Sequence, residues 1–329
     1  MCIRDRPSTT SSLTFGATSG TKTITSNGKT IDFPLTFNGV GGTFQLQDAA
    51  TVGSTRTVTL TNGTLNLNGK TLSSGTFASS ATSLRTLAFN SGTISLSGSG
   101  TVWDSSTSTN LITTGPGTIS LTSSLAKTFA GGGGVFAATL DQAGTGDLTI
   151  TGSNSFANMT ASISATSAAN IFFTAGTKTR FTSNFSVSGT ATYPITISSP
   201  TAATHTLNIA YGVVNVNYLA ISYSIADITV GKWYAGPNST DNGNNTGWVF
   251  AAAPNMSRLD SSGNLFVNGV FDELTLSGAG IPPRFASNTI YANTFDEVTI
   301  SPMSSGLARK LYSNGSLLIS GVFDEVTGL

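Results

Sequence analysis

One phrase is written twice in this chain without a gap. Arg56-Thr-Val-Thr-Leu-Thr-Asn-Gly-Thr-Leu-Asn-Leu-Asn-Gly69 lines up, position for position, on Arg85-Thr-Leu-Ala-Phe-Asn-Ser-Gly-Thr-Ile-Ser-Leu-Ser-Gly98. In each copy the apolar residues (Val58, Leu60, Leu65, Leu67; then Leu87, Phe89, Ile94, Leu96) fall on every second position, and the breaks fall on Asn-Gly or Ser-Gly. That is the pattern of half-buried strands joined by tight turns. Shorter forms of the phrase begin at Gly42, Gly63, Gly92, Gly117 and Gly146. Repetition on this scale marks a stack of similar units.

The expected fold is all-β: a right-handed parallel β-helix, or β-solenoid, over residues 8–250. Taking the intervals between these glycines as coil lengths gives a mean coil of about 25 residues and roughly nine coils over ~40 to 45 Å at the strand spacing. A β-sandwich also has short alternating strands, but it does not repeat a strand pair with the same Arg, Gly and apolar positions at one offset.

Composition agrees with strands and excludes several functions. Only 9% of the 329 residues are charged, against roughly 25% in an ordinary domain, and Thr, Ser, Gly and Asn take the surface positions. The straight-chain helix formers are scarce and the β-branched residues abundant, which disfavours long helices. Net charge is zero with no basic run, so phosphate neutralisation of a nucleic acid has no support. The longest apolar runs fall far short of the ~20 residues of a membrane span. Cys2 is the only cysteine and His205 the only histidine, an inventory too small for a His/Cys metal site; no cofactor is expected. Residues 1–6, Met-Cys-Ile-Arg-Asp-Arg, read as a translated adapter, so the native N-terminus and any signal peptide are taken to lie outside this sequence.

Along the chain, Gly131 to Gly134 form a four-glycine run without the Lys-Ser/Thr and helix of a phosphate loop; the expectation is a flexible loop bulging from one coil. Further on, Trp233-Tyr234 leads through Asn238-Ser-Thr-Asp-Asn-Gly-Asn-Asn-Thr-Gly to Trp248-Val-Phe250, read as the last coil with a closing strand. Trp233, Tyr234 and Trp248 are candidates either for stacking on sugar rings or for the end of the core. Residues 251–257 serve as a linker.

Beyond it, residues 258–329 carry a second repeat. Phe271-Asp-Glu-Leu-Thr275, Phe295-Asp-Glu-Val-Thr299 and Phe323-Asp-Glu-Val-Thr327 are three copies of one motif, and they contain every glutamate of the chain. Each follows a basic-apolar segment, a turn and a strand-like run, which reads as a hairpin with the acidic pair at its tip. Asp272, Glu273, Asp296, Glu297, Asp324 and Glu325 are therefore candidates for binding or assembly. The acids either pair with Arg or Lys of a neighbouring copy and blunt a strand edge, or offer oxygen ligands to Ca2+. Single hairpins of this size are marginal alone, so copies must stack on each other or on those of other chains.

The Asn-Asn-Thr-Gly-Trp closure and the Leu-Tyr-Ser-Asn-Gly strand followed by Phe-Asp-Glu-Val-Thr resemble repeat-rich, tail-fibre-like virion proteins of environmental marine phages. The middle copy departs from that pattern, with Ile281-Pro-Pro283 interrupting it. The resemblance implies a structural or receptor-binding component of a phage particle or its fibres, located on the virion or a cell surface. Its implied partners are virion or fibre proteins, further copies of itself as a homotrimer by analogy, and cell-surface glycan. Two other classes stay open: a bacterial surface adhesin or autotransporter passenger, and a polysaccharide depolymerase using carboxylates from successive coils. Catalysis is not expected. The coils hold few acids (Asp32, Asp48, Asp104, Asp141, Asp147, Asp227), none spaced by one coil length, and no Gly-x-Ser-x-Gly elbow accompanies His205. His205 itself is expected at a surface or ladder position.

Overall fold

The computed structural model describes residues 12–253, 257–259, 265–276 and 290–300. The chain divides into two units, Met1–Ala252 and Ala253–Leu329. The first is a parallel β-solenoid. Its strands form a 14-stranded sheet whose main path runs from Leu13–Phe15 to Thr240–Asp241, and a 10-stranded sheet from Thr30–Ile31 to Ser224–Ala226. A 3-stranded sheet joins Val213–Asn215, Lys232–Tyr234 and Trp248–Val249. About ten turns result, and every pairing among the described residues of this unit is parallel. A single 3-10 turn, Ser162–Ala165, is the only helical element among the described residues.

The alternation read from the sequence is what fills the core. Inward residues stack coil on coil: Leu35, Val58, Phe77, Trp103, Phe129, Ile150 and Phe173 are successive register partners on one face. Leu72, Ile94, Ile119, Leu140, Met159 and Phe185 do the same on another. Every residue of these two columns is buried. Where aromatics coincide their rings overlap, with Phe77 and Trp103 centroids 4.6 Å apart and Trp103 and Phe129 5.2 Å. Each such pair adds about 0.5–1.5 kcal/mol beyond its buried area.

The duplicated phrase stacks differently from its alignment. Val58 pairs with Phe77, not Leu87, and Leu65 pairs with Leu87, not Ile94. The reason is that Thr57–Asn66 bends across two faces of the coil. The first half of copy two, Arg85–Ala88, lies on the second half of copy one. The intervals from Gly42 to Gly63 and from Gly92 to Gly117 are true coil steps, as Thr43 on Thr64 and Thr93 on Thr118 show. The offset from Arg56 to Arg85 is one coil, Gly63 to Arg85, plus the stretch from Arg56 to Gly63 that leads from one face to the next.

In the second unit, Ser257–Leu259 pairs antiparallel with the start of Leu265–Leu276, which pairs parallel with Ile290–Ile300. Phe271 falls on Phe295, Glu273 on Glu297 and Thr275 on Thr299. The Phe-Asp-Glu motif thus sits within a long strand, correcting the reading of an acidic hairpin tip. The two copies pair from Val270 to Leu276 with Thr294 to Ile300, backbone that a turn at Phe-Asp-Glu would take out of the ladder. The third copy, with Asp324 and Glu325, lies outside the described residues, as do residues 1–6.

Candidate functional surfaces

The aspartates are the only acids of the described coils, and each is occupied. Asp32 receives the Arg56 guanidinium at 2.9 Å, and this hydrogen bond holds its carboxyl below the usual carboxylate range. Asp48 accepts the backbone N–H groups of Ser26 (2.8 Å) and Asn27 (2.6 Å), which likewise hold it down. Asp104 takes the N–H and hydroxyl of Ser106, and Asp147 takes Asn170 Nδ2 at 2.8 Å. Asp141 accepts the N–H and hydroxyl of Ser162 and the Thr160 hydroxyl. Asp227 binds Lys178 Nζ at 2.6 Å and the Thr229 hydroxyl, and is held far below its ordinary value. Asp241 is tied to Gly243 N–H and Asn245.

A glycosidase pairs a carboxyl held protonated by an apolar setting with a second carboxylate opposite it. The registers place Ser120 and Thr160 beside Asp141, and Ala78 and Ala130 beside Asp104. Among the described residues no group of three or more metal-ligating side chains converges.

The outer faces are ladders of mostly uncharged polar groups. Thr71, Thr93, Thr118 and Thr139 stand in one column, and Ser73, Ser95, Ser120, Asp141, Thr160 and Ser186 in the next. Such columns follow from strand alternation, the neighbour of each inward Leu or Ile being an outward Thr or Ser. Asn62 donates to Asn38 at 2.6 Å and Asn90 to Asn66 at 3.0 Å along the same edge direction.

Trp233 and Trp248 belong to the core. Both are buried, with ring centroids 5.1 Å apart, and Phe185 packs on each. Their faces are therefore not free to stack on a sugar. Trp233 Nε1 donates to the Asp227 carbonyl and Trp248 Nε1 to Ser224 Oγ. Tyr234 is half-buried beside them. The glycine run is a packed corner, not a bulging loop: Gly134 N–H bonds Gly131 O at 3.0 Å, and Gly133 N–H bonds Asn154 Oδ1. A Cβ on Gly132, whose φ is +62°, would come within 2.4 Å of the Ser105 carbonyl oxygen.

Among the described residues three ionisable groups are inside. Arg85 is fully buried and spends its donors on Ser79 Oγ and on the carbonyls of Ser79, Ser83, Thr107 and Thr109, with burial lowering its pKa. Lys127 donates to the carbonyls of Ser123 (3.1 Å) and Gly146 (2.6 Å); burial pushes its ammonium down to about 8. His205 points inward, not to the surface. The signal is present in the parity of His205, Leu207 and Ile209, all on the inward side of one strand. No protein-family model, no curated protein and no solved structure matches this chain.

Proposed function

We propose that the chain is a structural or host-binding component of a phage particle or of its fibres. The observation that carries this reading is the division of labour in the coils. Inward positions form continuous apolar columns, outward positions form mostly uncharged ladders, and every aspartate of the described coils is tied to a partner. Such a unit supplies stiffness and a repeated surface. Its backbone groups pair coil to coil, which leaves a protease little extended chain to bind. Fibres and spikes need that property more than they need a reaction centre. The partners of this reading are other virion or fibre proteins, further copies of the chain and a neutral glycan on a cell surface.

Density-purified particles from a sample carrying this gene provide the test. Peptides of the coil region are expected in the particle fraction together with tail or capsid proteins. Recovery in the bacterial cell-surface fraction alone would replace the virion reading with that of a surface adhesin.

A further inference from the structure

His205 is 1% exposed, and neither of its ring nitrogens has a hydrogen-bond partner. A neutral imidazole carries one donor and one acceptor, so both are buried unsatisfied, a condition that buried polar groups seldom show. The ring lies on Phe173, with centroids 5.0 Å apart. In the ladder His205 is the register partner of Ser224. The Ser224 hydroxyl accepts Trp248 Nε1 at 3.0 Å, and its N–H is held by Asn245 Oδ1. One residue thus separates the imidazole from the tryptophan of the last turn.

No charge on the surrounding elements answers it. The strand below carries Lys178 and Arg180, both exposed, and Lys178 is already bound to Asp227. Ala169–Phe173, Val213–Asn215, Ser224–Ala226 and Trp248–Val249 hold no titratable side chain. Lys232 and Asp241 are exposed, and Tyr223 and Tyr234 half-buried. The two buried cations, Arg85 and Lys127, belong to earlier coils.

We propose that His205 is an acid-operated latch on the last turns of the coil stack: a proton on its ring competes for the Ser224 hydroxyl, releases Trp248 and opens residues 219–249 while earlier coils stay paired. Each coil touches only its neighbours, so an end can open without the rest. Burial holds the His205 pKa down to about 4, against 6.5 in the open chain. The sign follows: the open form binds the proton that the closed form refuses, so closure is fully favoured above about pH 6.5 and weakens as pH falls toward 4. Across that window the opening constant rises on the order of 100-fold. In the closed form Asp227, held far lower by Lys178 and Thr229, keeps its charge throughout.

The chain has three tryptophans, and Trp103 lies in mid-stack between Phe77 and Phe129. In Trp103→Phe protein, only Trp233 and Trp248 report. Their emission is expected to shift to the red between about pH 6.5 and 4 while the far-ultraviolet strand signal persists. His205→Phe, which continues the Phe173 stack, and His205→Leu are both expected to lack the shift. Hydrogen exchange on the unsubstituted chain, corrected for intrinsic rates, should show faster exchange in residues 219–249 alone at the acid end. Unshifted emission, uniform protection at acid pH, or a transition retained in either variant would overturn the latch.

Discussion

Arg85 Nε donates to the Ser79 hydroxyl at 2.8 Å, deep inside the coil and with no carboxylate beside it. The same guanidinium reaches the Thr107 and Thr109 carbonyls of the following coil, each at 2.8 Å, so one side chain braces two successive corners. Arg56, its equivalent in the duplicated phrase, instead lies at the surface against Asp32. Arg85→Ala is expected to cost ~3 kcal/mol or more, because several buried carbonyls lose their donors together. Arg56→Ala should leave the unfolding midpoint nearly unchanged, as exposed pairs contribute little. Chemical denaturation of both variants checks the contrast.

Gly132 and Gly133 both have positive φ, but only Gly132 faces a coil directly. Its Cβ would meet the Ser105 and Ser106 carbonyls, whereas the nearest atom to a Gly133 Cβ is Ser153 O at 3.8 Å. Gly133→Ala should cost about 1 kcal/mol from backbone strain alone. Gly132→Ala should cost about 2 kcal/mol or more, since the corner must also move. Equal costs would mean that the run is a loose loop.

Lys127 supplies a pH test of the interior. Its folded pKa, about 8, lies below its ordinary 10.5, chiefly through burial and against the opposing pull of Asp147. Above about pH 8 the unfolded chain holds the extra proton, so folding stability should rise with pH up to about 10.5. A Lys127→Met variant should lack that rise, measured as the difference between the two proteins across the window.

Catalysis can be probed directly. Incubation with a panel of capsular and algal polysaccharides is expected to give no new reducing ends. New ends that disappear in Asp141→Ala or Asp147→Ala would assign a reaction centre to carboxylates that here accept Ser162, Thr160 and Asn170.

Much of the fold is legible because strand alternation is a local signal. Val58, Leu60, Leu65 and Leu67 are all fully buried, and the Thr and Asn between them are not. Which strand lies on which is not local. Coil steps are uneven, short from Thr57 to Thr76 and long from Lys178 to Thr206, since corners of different length cost little in a stack. That is why the offset between Arg56 and Arg85 reads as a single coil and is longer than one. The sites are harder. Trp233 and Trp248 carry the same side chain whether they face a ligand or Phe185, and only the ladder from Val214 to Trp248 decides it. The glycine run reads as mobile because sequence shows missing side chains but not the Ser105 and Ser106 carbonyls that occupy their place.

Register is the claim on which the coil stack rests, and paired cysteines report it. Thr64 and Thr86 are partners on the outer side of adjacent strands, while Thr93 lies on Thr71. Neighbouring parallel strands are about 4.8 Å apart, within reach of a disulfide. In a Cys2→Ser background, Thr64→Cys with Thr86→Cys should cross-link on mild oxidation, and Thr64→Cys with Thr93→Cys should not. Cross-linking of the second pair in place of the first would contradict the pairing of Thr57–Asn66 with Arg85–Ala88 and the stack built on it.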